Sequence, residues 1–433
     1  MRKELKVFNI IWLGQSLSLL GSKMSLFALG IWIWQLTGNA TDLALFGFFA
    51  QVPQIFMLFI SGTIVDRWNR KLLIIAADCV IGVLTIMLLI LYSTNHLQIW
   101  HLYLSLAIMG FFGQFQSLAF SASISTLVPK SDYVRASSMG FLAKYGSSII
   151  GPALAGYLYL KIDLSGIMLI DITTFLFAIG MVSFVHIPPP KSESLEQKKG
   201  LNIVKEFRVG LDYLTKHNSL LFLLCLVSMF WFFHDMGGSL YSAMILARSY
   251  GDPKVLGAVA SAAGFGGVVG ALLMSKWGKF QRQVDGVQLG MIGAGLSKTI
   301  FGLGTGLFVW APMQFCSSLN FPVMGSSVNS IWLQKVDPEI QGRVFSIRMM
   351  IIKIVSSISY LIAGPLADHV FEPAMRSGEL TAKIFGWLFG TEKGSGIALL
   401  YVISALAMLL VGLSGYGFQR LRNLESLIPD YDH

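Results

Sequence analysis

The sequence predicts an all-α membrane protein: twelve transmembrane helices in two six-helix bundles related by a parallel internal repeat. Three observations lead there. The composition is apolar, stretches of membrane-crossing length recur along the chain, and residues match at one fixed offset. Of 433 residues, 54% are hydrophobic and 13% charged. A soluble globular chain carries about 25% charged residues, so this one has too few to cover a water-facing surface. Runs of roughly 18 or more apolar residues read as membrane helices. They place spans near 8–35, 42–65, 72–93, 99–126, 137–159, 165–186, 219–247, 253–275, 286–304, 307–333, 344–366 and 396–417. Met1-Arg2-Lys3-Glu4 leads into an apolar run too long for a signal sequence and without a small-residue cleavage site, so span 1 is expected to be retained. Cys79, Cys225 and Cys316 all lie in apolar spans and read as small hydrophobic filler rather than a disulfide framework.

Twelve spans put both ends of the chain on one side. With the N-terminus inside, 22 of the 32 Lys and Arg fall on inner segments, counting Arg348 at the inner end of span 11, six on outer segments, counting Lys254 at the outer end of span 8, and four deeper within spans. Short cytoplasmic loops carry the basic excess, so both termini are expected to be cytoplasmic. The same dispersion removes the nucleic-acid reading of a net charge of +9. No basic stripe with interleaved aromatics appears.

Between spans 6 and 7, HIPPPKSESLEQKKGLN (186–202) has three prolines and no apolar period. It divides the chain into an N-terminal bundle (1–186), a cytoplasmic linker (187–217) and a C-terminal bundle with a cytoplasmic tail (218–433). Residues 203–217 read as a short amphipathic helix. An offset of 209 then aligns the halves without gaps. Arg67-Trp68-Asn69-Arg70 meets Lys276-Trp277-Gly278-Lys279, Pro129 meets Pro338, Lys144 meets Lys353, and Ser147-Ser148 meets Ser356-Ser357. Six spans return the chain to the same side, so the repeat is parallel, and such repeats hold their site at the repeat interface.

The stretch Gly62-x-x-x-Asp66-Arg67-x-x-Arg70-Lys71 resembles the signature loop between helices 2 and 3 of the major facilitator superfamily, with Ser275 replacing the acid in the second half. IWLGQSLSLLGS (11–22), AADCV (76–80), TLVPKSDYVRASS (126–138) and MLIDITTFLFAIGMVSFVHIP (168–188) are similar to the drug:proton antiporter branch that contains macrolide-efflux proteins. The resemblance covers all twelve spans and implies the major facilitator fold, with spans 1, 4, 7 and 10 lining a cavity. It implies a gate latch at Gly62, Asp66, Arg67, Arg70 and Lys71, supported by Asp78. The alternative is that these bases only anchor topology. Gly151, Pro152 and Gly156 resemble the glycine-proline element of antiporters, although one residue too many separates the proline from the final glycine. That element points to export.

An ionisable side chain at mid-span costs about 2.5–3.5 kcal/mol on insertion scales and marks a functional candidate. Asp235, with His234 beside it, is the first candidate for proton coupling. Subtracting 209 maps Asp235 onto Leu26, one turn from Lys23, and in the superfamily's fold spans 1 and 7 face each other. A Lys23–Asp235 contact is therefore expected, either coupling protons or standing as a static ion pair. Lys144 and Lys353 either attract anionic groups of a substrate or snorkel to the interface. Lys298 in span 9 is a weaker candidate, and Asp171 reads as structural. The substrate path is expected at Gln15, Ser18, Ser22, Gln114, Gln116, Gln314, Asn320 and Asn329, with Trp231 among the aromatics of its wall.

Two glycine clusters, GFGGVVG (264–270) and GAGLSKT (293–299), lack the context of a nucleotide loop. No catalytic, metal or cofactor site is expected, and the protein is not read as an enzyme. The leading function is a proton-coupled secondary transporter, a monomer in a cell membrane, exporting a hydrophobic or amphiphilic small molecule such as a macrolide-like drug or a secreted metabolite. A lysophospholipid or other amphiphilic lipid carrier is the alternative, and a non-transporting scaffold or sensor comes third. The partners are the small molecule, protons and the lipid bilayer, without nucleic acid.

Overall fold

The computed structural model describes residues 3–67, 70–128, 132–185, 203–277, 280–338, 340–378 and 380–427. All regular structure among them is helical. The long helices are α1 (Lys3–Thr37), α2 (Ala40–Arg67), α3 (Arg70–Ser93), α4 (Ile99–Leu127) and α5 (Tyr133–Ser183). After the linker come α6 (Ile203–Lys216), α7 (Asn218–Arg248), α8 (Pro253–Trp277), α9 (Gln283–Leu303), α10 (Leu307–Lys335), α11 (Gln341–Leu366) and α12 (Ser395–Gly417). Spans 5 and 6 form one helix interrupted at Asp163, whose φ of 58° breaks the helical path. Its carboxylate accepts a hydrogen bond from the Tyr92 hydroxyl at 2.6 Å.

Counting α5 twice and setting α6 aside, the twelve expected spans are all helices. Nine helices among the described residues are long and apolar enough to cross a membrane. Of the others, α9 carries Gln283, Asp285, Gln288, Ser297, Lys298 and Thr299, and α10 contains Pro312 and Pro322 among several Ser and Asn. Gln283, Gln288 and Lys298 are buried, as are Ser317, Ser318 and Ser327 of α10. Their polarity therefore faces protein rather than lipid, where an unsatisfied polar group would cost several kcal/mol.

The chain forms two compact units. The first holds Met1–Leu36 and Phe46–Leu201, and the second holds Thr37–Leu45 and Asn202–His433. In the first, Phe8, Ile11, Met57, Ile74, Phe115, Ala119 and Val182 build the core. Small residues let its helices approach: a Cβ on Gly14 would sit 3.2 Å from the Ala178 Cα, and one on Gly110 2.4 Å from the Ala50 carbonyl oxygen. In the second, Leu223, Phe230, Val287, Met291, Val328, Trp332 and Val344 pack into one core cluster.

α6 lies against α11, and its Tyr213 hydroxyl donates to the Lys335 carbonyl at 3.0 Å. Glu372 caps α12, accepting from the backbone N–H groups of Gly394, Gly396 and Ile397 at 2.7, 3.0 and 3.3 Å. The offset of 209 is visible in the bonding. Ser148 donates to the Lys144 carbonyl and Ser357 to the Lys353 carbonyl, each at 2.9 Å.

Candidate functional site

The second unit holds a half-buried carboxylate in the middle of a membrane-length helix. Asp235 of α7 is flanked by His234, whose Nδ1 lies 2.9 Å from Oδ1. Oδ2 accepts a hydrogen bond from Ser356 of α11. Aromatic rings enclose the imidazole. Trp231 and Phe321, from α7 and α10, have centroids 4.8 and 4.9 Å from it and stack on each other at 5.8 Å. Lys298 of α9 is only 4% exposed. Its ammonium donates to the Tyr401 hydroxyl of α12 at 3.4 Å and lies 5.7 Å from that ring's centroid. Asp235 is the anion that acts on it electrostatically. Five helices thus converge on a carboxylate, an imidazole and an amine inside an apolar shell, an arrangement able to hold and release a proton.

Lys23 belongs to the first unit. A Cβ on Gly151 would stand 2.9 Å from the Lys23 Cβ, and Lys144 is the charge that acts on the Lys23 ammonium. Within the first unit Lys23 stands beside the Gly151-Pro152 element, and within the second Asp235 is bonded to His234 and Ser356.

A second carboxylate, this one buried, ties together residues that the sequence assigned to different roles. Asp78 of α3 is 2% exposed. Gln15 of α1 donates to Oδ2 at 2.9 Å, Gln116 of α4 donates to Oδ1, and Gln116 also donates to the Gln15 amide oxygen at 2.9 Å. Asp171 of α5 accepts from Ser22 at 3.1 Å. Three members of the expected substrate path thus hold carboxylates of their own unit. Leaving a buried charge short of a donor costs about 1–3 kcal/mol or more. Gln116→Leu is accordingly expected to lower the thermal transition of detergent-solubilised protein, with Asp78→Leu added to it recovering part of the loss.

Of the expected latch, Gly62, Asp66, Arg67 and Arg70 lie, beyond their helical backbone, outside the described residues. The Lys71 ammonium donates to the Ser183 and Val185 carbonyls at 2.8 and 2.7 Å, at the C-terminal end of α5. Ser18 is buried, Gln114 half-buried and Lys144 exposed, while Lys353 is half-buried and Gly156 buried. Asn320 donates to the Cys316 carbonyl within α10, and the Gln314 amide oxygen is buried without a partner among the described residues. Asn329 accepts from Arg348 at 2.7 Å. Arg348, at the inner end of span 11, lies within α11, its guanidinium 5.4 Å from the ring centroids of both Trp332 and Phe345.

Residues 11–360 match the sequence profile of the Major Facilitator Superfamily. The chain is 26% identical over 365 residues to macrolide efflux protein A of Streptococcus pyogenes, covering 84% of this chain and 90% of that one. It is 26% identical over 288 residues to macrolide efflux protein A of Enterococcus faecalis, covering 66% and 88%. In fold it is similar to an inward-facing bacterial homologue of the human lysosomal transporter Spinster, with TM-score 0.67, 14% identity, and 98% and 96% of the chains covered. A bacterial homologue of the iron transporter ferroportin, also inward-facing, gives TM-score 0.68 at 12% identity over 95% and 99%. With the profile running from span 1 into span 11, this chain belongs to the Major Facilitator Superfamily and is a membrane transporter of small molecules.

Proposed function

We propose that this transporter exports hydrophobic or amphiphilic small molecules, macrolide-like drugs or a secreted metabolite, by alternating access coupled to protons. The observation that carries the reading is Asp235, a carboxylate in mid-helix bonded to His234 and Ser356 and bordered by the Trp231–Phe321 stack. A group that must ionise and neutralise each cycle needs a partly desolvated setting with exchangeable partners. Asp235 has both. Two relatives at 26% identity are named macrolide efflux proteins, which supports export and suggests the first probe. The aromatic wall suits apolar cargo. In this reading both termini are cytoplasmic, the protein works as a monomer, and the Asp66 loop latches the cytoplasmic side.

Uptake of a radiolabelled macrolide and of a fluorescent hydrophobic cation into inside-out vesicles, with an imposed and then collapsed proton gradient, tests the proposal. Gradient-driven accumulation is expected in wild type. Asp235→Asn is expected to reduce it at least tenfold while the protein still reaches the membrane. Accumulation retained by the variant would remove Asp235 from the coupling path. If wild type accumulates neither probe under a gradient, export of such compounds is wrong and labelled lysophospholipid becomes the next substrate to assay.

A further inference from the structure

We propose that Lys298 is the counter-charge of Asp235 and the second half of the proton-carrying pair, an inference that rests on the proton-coupled reading above. Within spans 7–12 as the sequence delimits them, Asp235 is the only acidic residue. Lys298 is buried, and its hydrogen-bond acceptor is a neutral phenol at 3.4 Å. An ammonium in such surroundings must have an anion within its field or give up its proton. One acid in that part of the unit can supply it.

Tyr401 arranges the pair. A Cβ on Gly237, two residues beyond Asp235, would lie 3.5 Å from the Tyr401 ring. One on Gly302, a turn beyond Lys298, would lie 2.7 Å from it. The ring is wedged between α7 and α9 where both lack a side chain, and its hydroxyl holds the amine. Ser356 holds the carboxylate from α11. The other titratable groups facing the pair are His234 and Tyr241 of α7, Tyr360 of α11 and Tyr401 itself, with Asp235 acting on Tyr360. α10 contributes Phe321.

With Asp235 ionised and Lys298 protonated, the pair has no net charge. A proton entering from water bonds to an Asp235 carboxylate oxygen and cancels its charge. The Lys298 ammonium is then left alone in the apolar shell. That unbalanced cation disfavours the packing around it and links proton load to conformation. Release of the same proton to water restores the pair.

The pH dependence of macrolide uptake by inside-out vesicles, measured for Lys298→Met and Lys298→Arg, tests the assignment. Lys298→Met removes the cation that balances an ionised Asp235, so the half-maximal pH of uptake is expected to move alkaline by about 1–3 pH units. Lys298→Arg keeps the charge and is expected to return most of the shift, which loss of packing alone would not produce. A Lys298→Met profile superimposable on wild type would overturn the pairing while leaving proton coupling intact. Wild-type uptake indifferent to the gradient would instead remove the reading beneath it. Should Lys298→Met fail to reach the membrane, the charge-balanced Asp235→Asn/Lys298→Met protein decides. Recovery of its level supports the pair, and a level as low as that of the single variant overturns it.

Discussion

Gly266→Leu and Gly270→Leu are each expected to destabilise the second unit by more than the loss of any one of its hydrogen bonds. A Cβ on Gly266 would meet the Phe315 carbonyl oxygen at 2.2 Å and the Phe315 Cα at 3.0 Å. One on Gly270 would meet the Leu319 carbonyl oxygen at 2.3 Å. Both obstacles are backbone, one turn apart on α10, so no rotamer change relieves them. In a bilayer, helices associate through packing rather than through the hydrophobic effect, so prising α8 from α10 has no compensating burial. Overpacking typically costs about 1–3 kcal/mol. Alanine should fall in that range at either position and leucine above it. The readouts are the monodisperse fraction after detergent extraction and the thermal transition. Gly267 is the control, because a Cβ there has nothing within 4 Å. A leucine at 270 tolerated as well as one at 267 would contradict the α8–α10 contact.

The same glycines show why some of the fold was legible and some not. In sequence, GFGGVVG is a cluster without a strand before it, enough to reject a nucleotide loop and no more. Which of its glycines touch another helix depends on rotation about the α8 axis, and the apolar run around them does not set that angle. Span number and length were readable because hydrocarbon thickness imposes them. The division of α2 was not readable. Residues 37–45 group with the second unit through contacts more than 300 residues away in sequence.

Site residues divide along similar lines. Asp235, Asp78 and Lys23 announced themselves as charges where lipid was expected. Their partners did not. Tyr401 in an apolar span looks like any packing aromatic, and Gln15 and Gln116 look like path-lining polar residues until Asp78 is seen between them. The repeat proved to be a guide to backbone rather than environment. Ser148 and Ser357 make the same bond, yet Lys144 is exposed and Lys353 half-buried. Pairing Asp235 with Lys23 followed from the superfamily's helix arrangement. Lys298 ranked as the weaker candidate because its span is an outer one, although its side chain is buried in the second unit.

Asp368→Ala is expected to free the first turn of α2. The Asp368 carboxylate accepts from the backbone N–H of Ala40 at 3.0 Å, and from the N–H and hydroxyl of Thr41 at 2.7 and 2.6 Å. Those N–H groups belong to the helix's first turn, where no intrahelical acceptor exists, and negative charge there is favoured by the helix dipole. Caps of this kind usually come from the residue preceding the helix. Here the cap comes from just beyond α11. The approach is close because Gly364, one turn before Asp368, has no side chain: a Cβ there would stand 2.5 Å from the Thr41 Cα. Hydrogen bonds to a charged group are worth about 1.5–3 kcal/mol. Alanine should therefore speed amide exchange at residues 40–44 by at least about tenfold, since 1.4 kcal/mol is a factor of ten in an opening equilibrium. Asn keeps one acceptor oxygen and should fall between. Exchange that rose across all of α2 would mean the carboxylate stabilises the unit at large. Exchange raised only in the first turn would identify Asp368 as the pin that holds the start of α2 on the second unit, while the remainder of that helix belongs to the first.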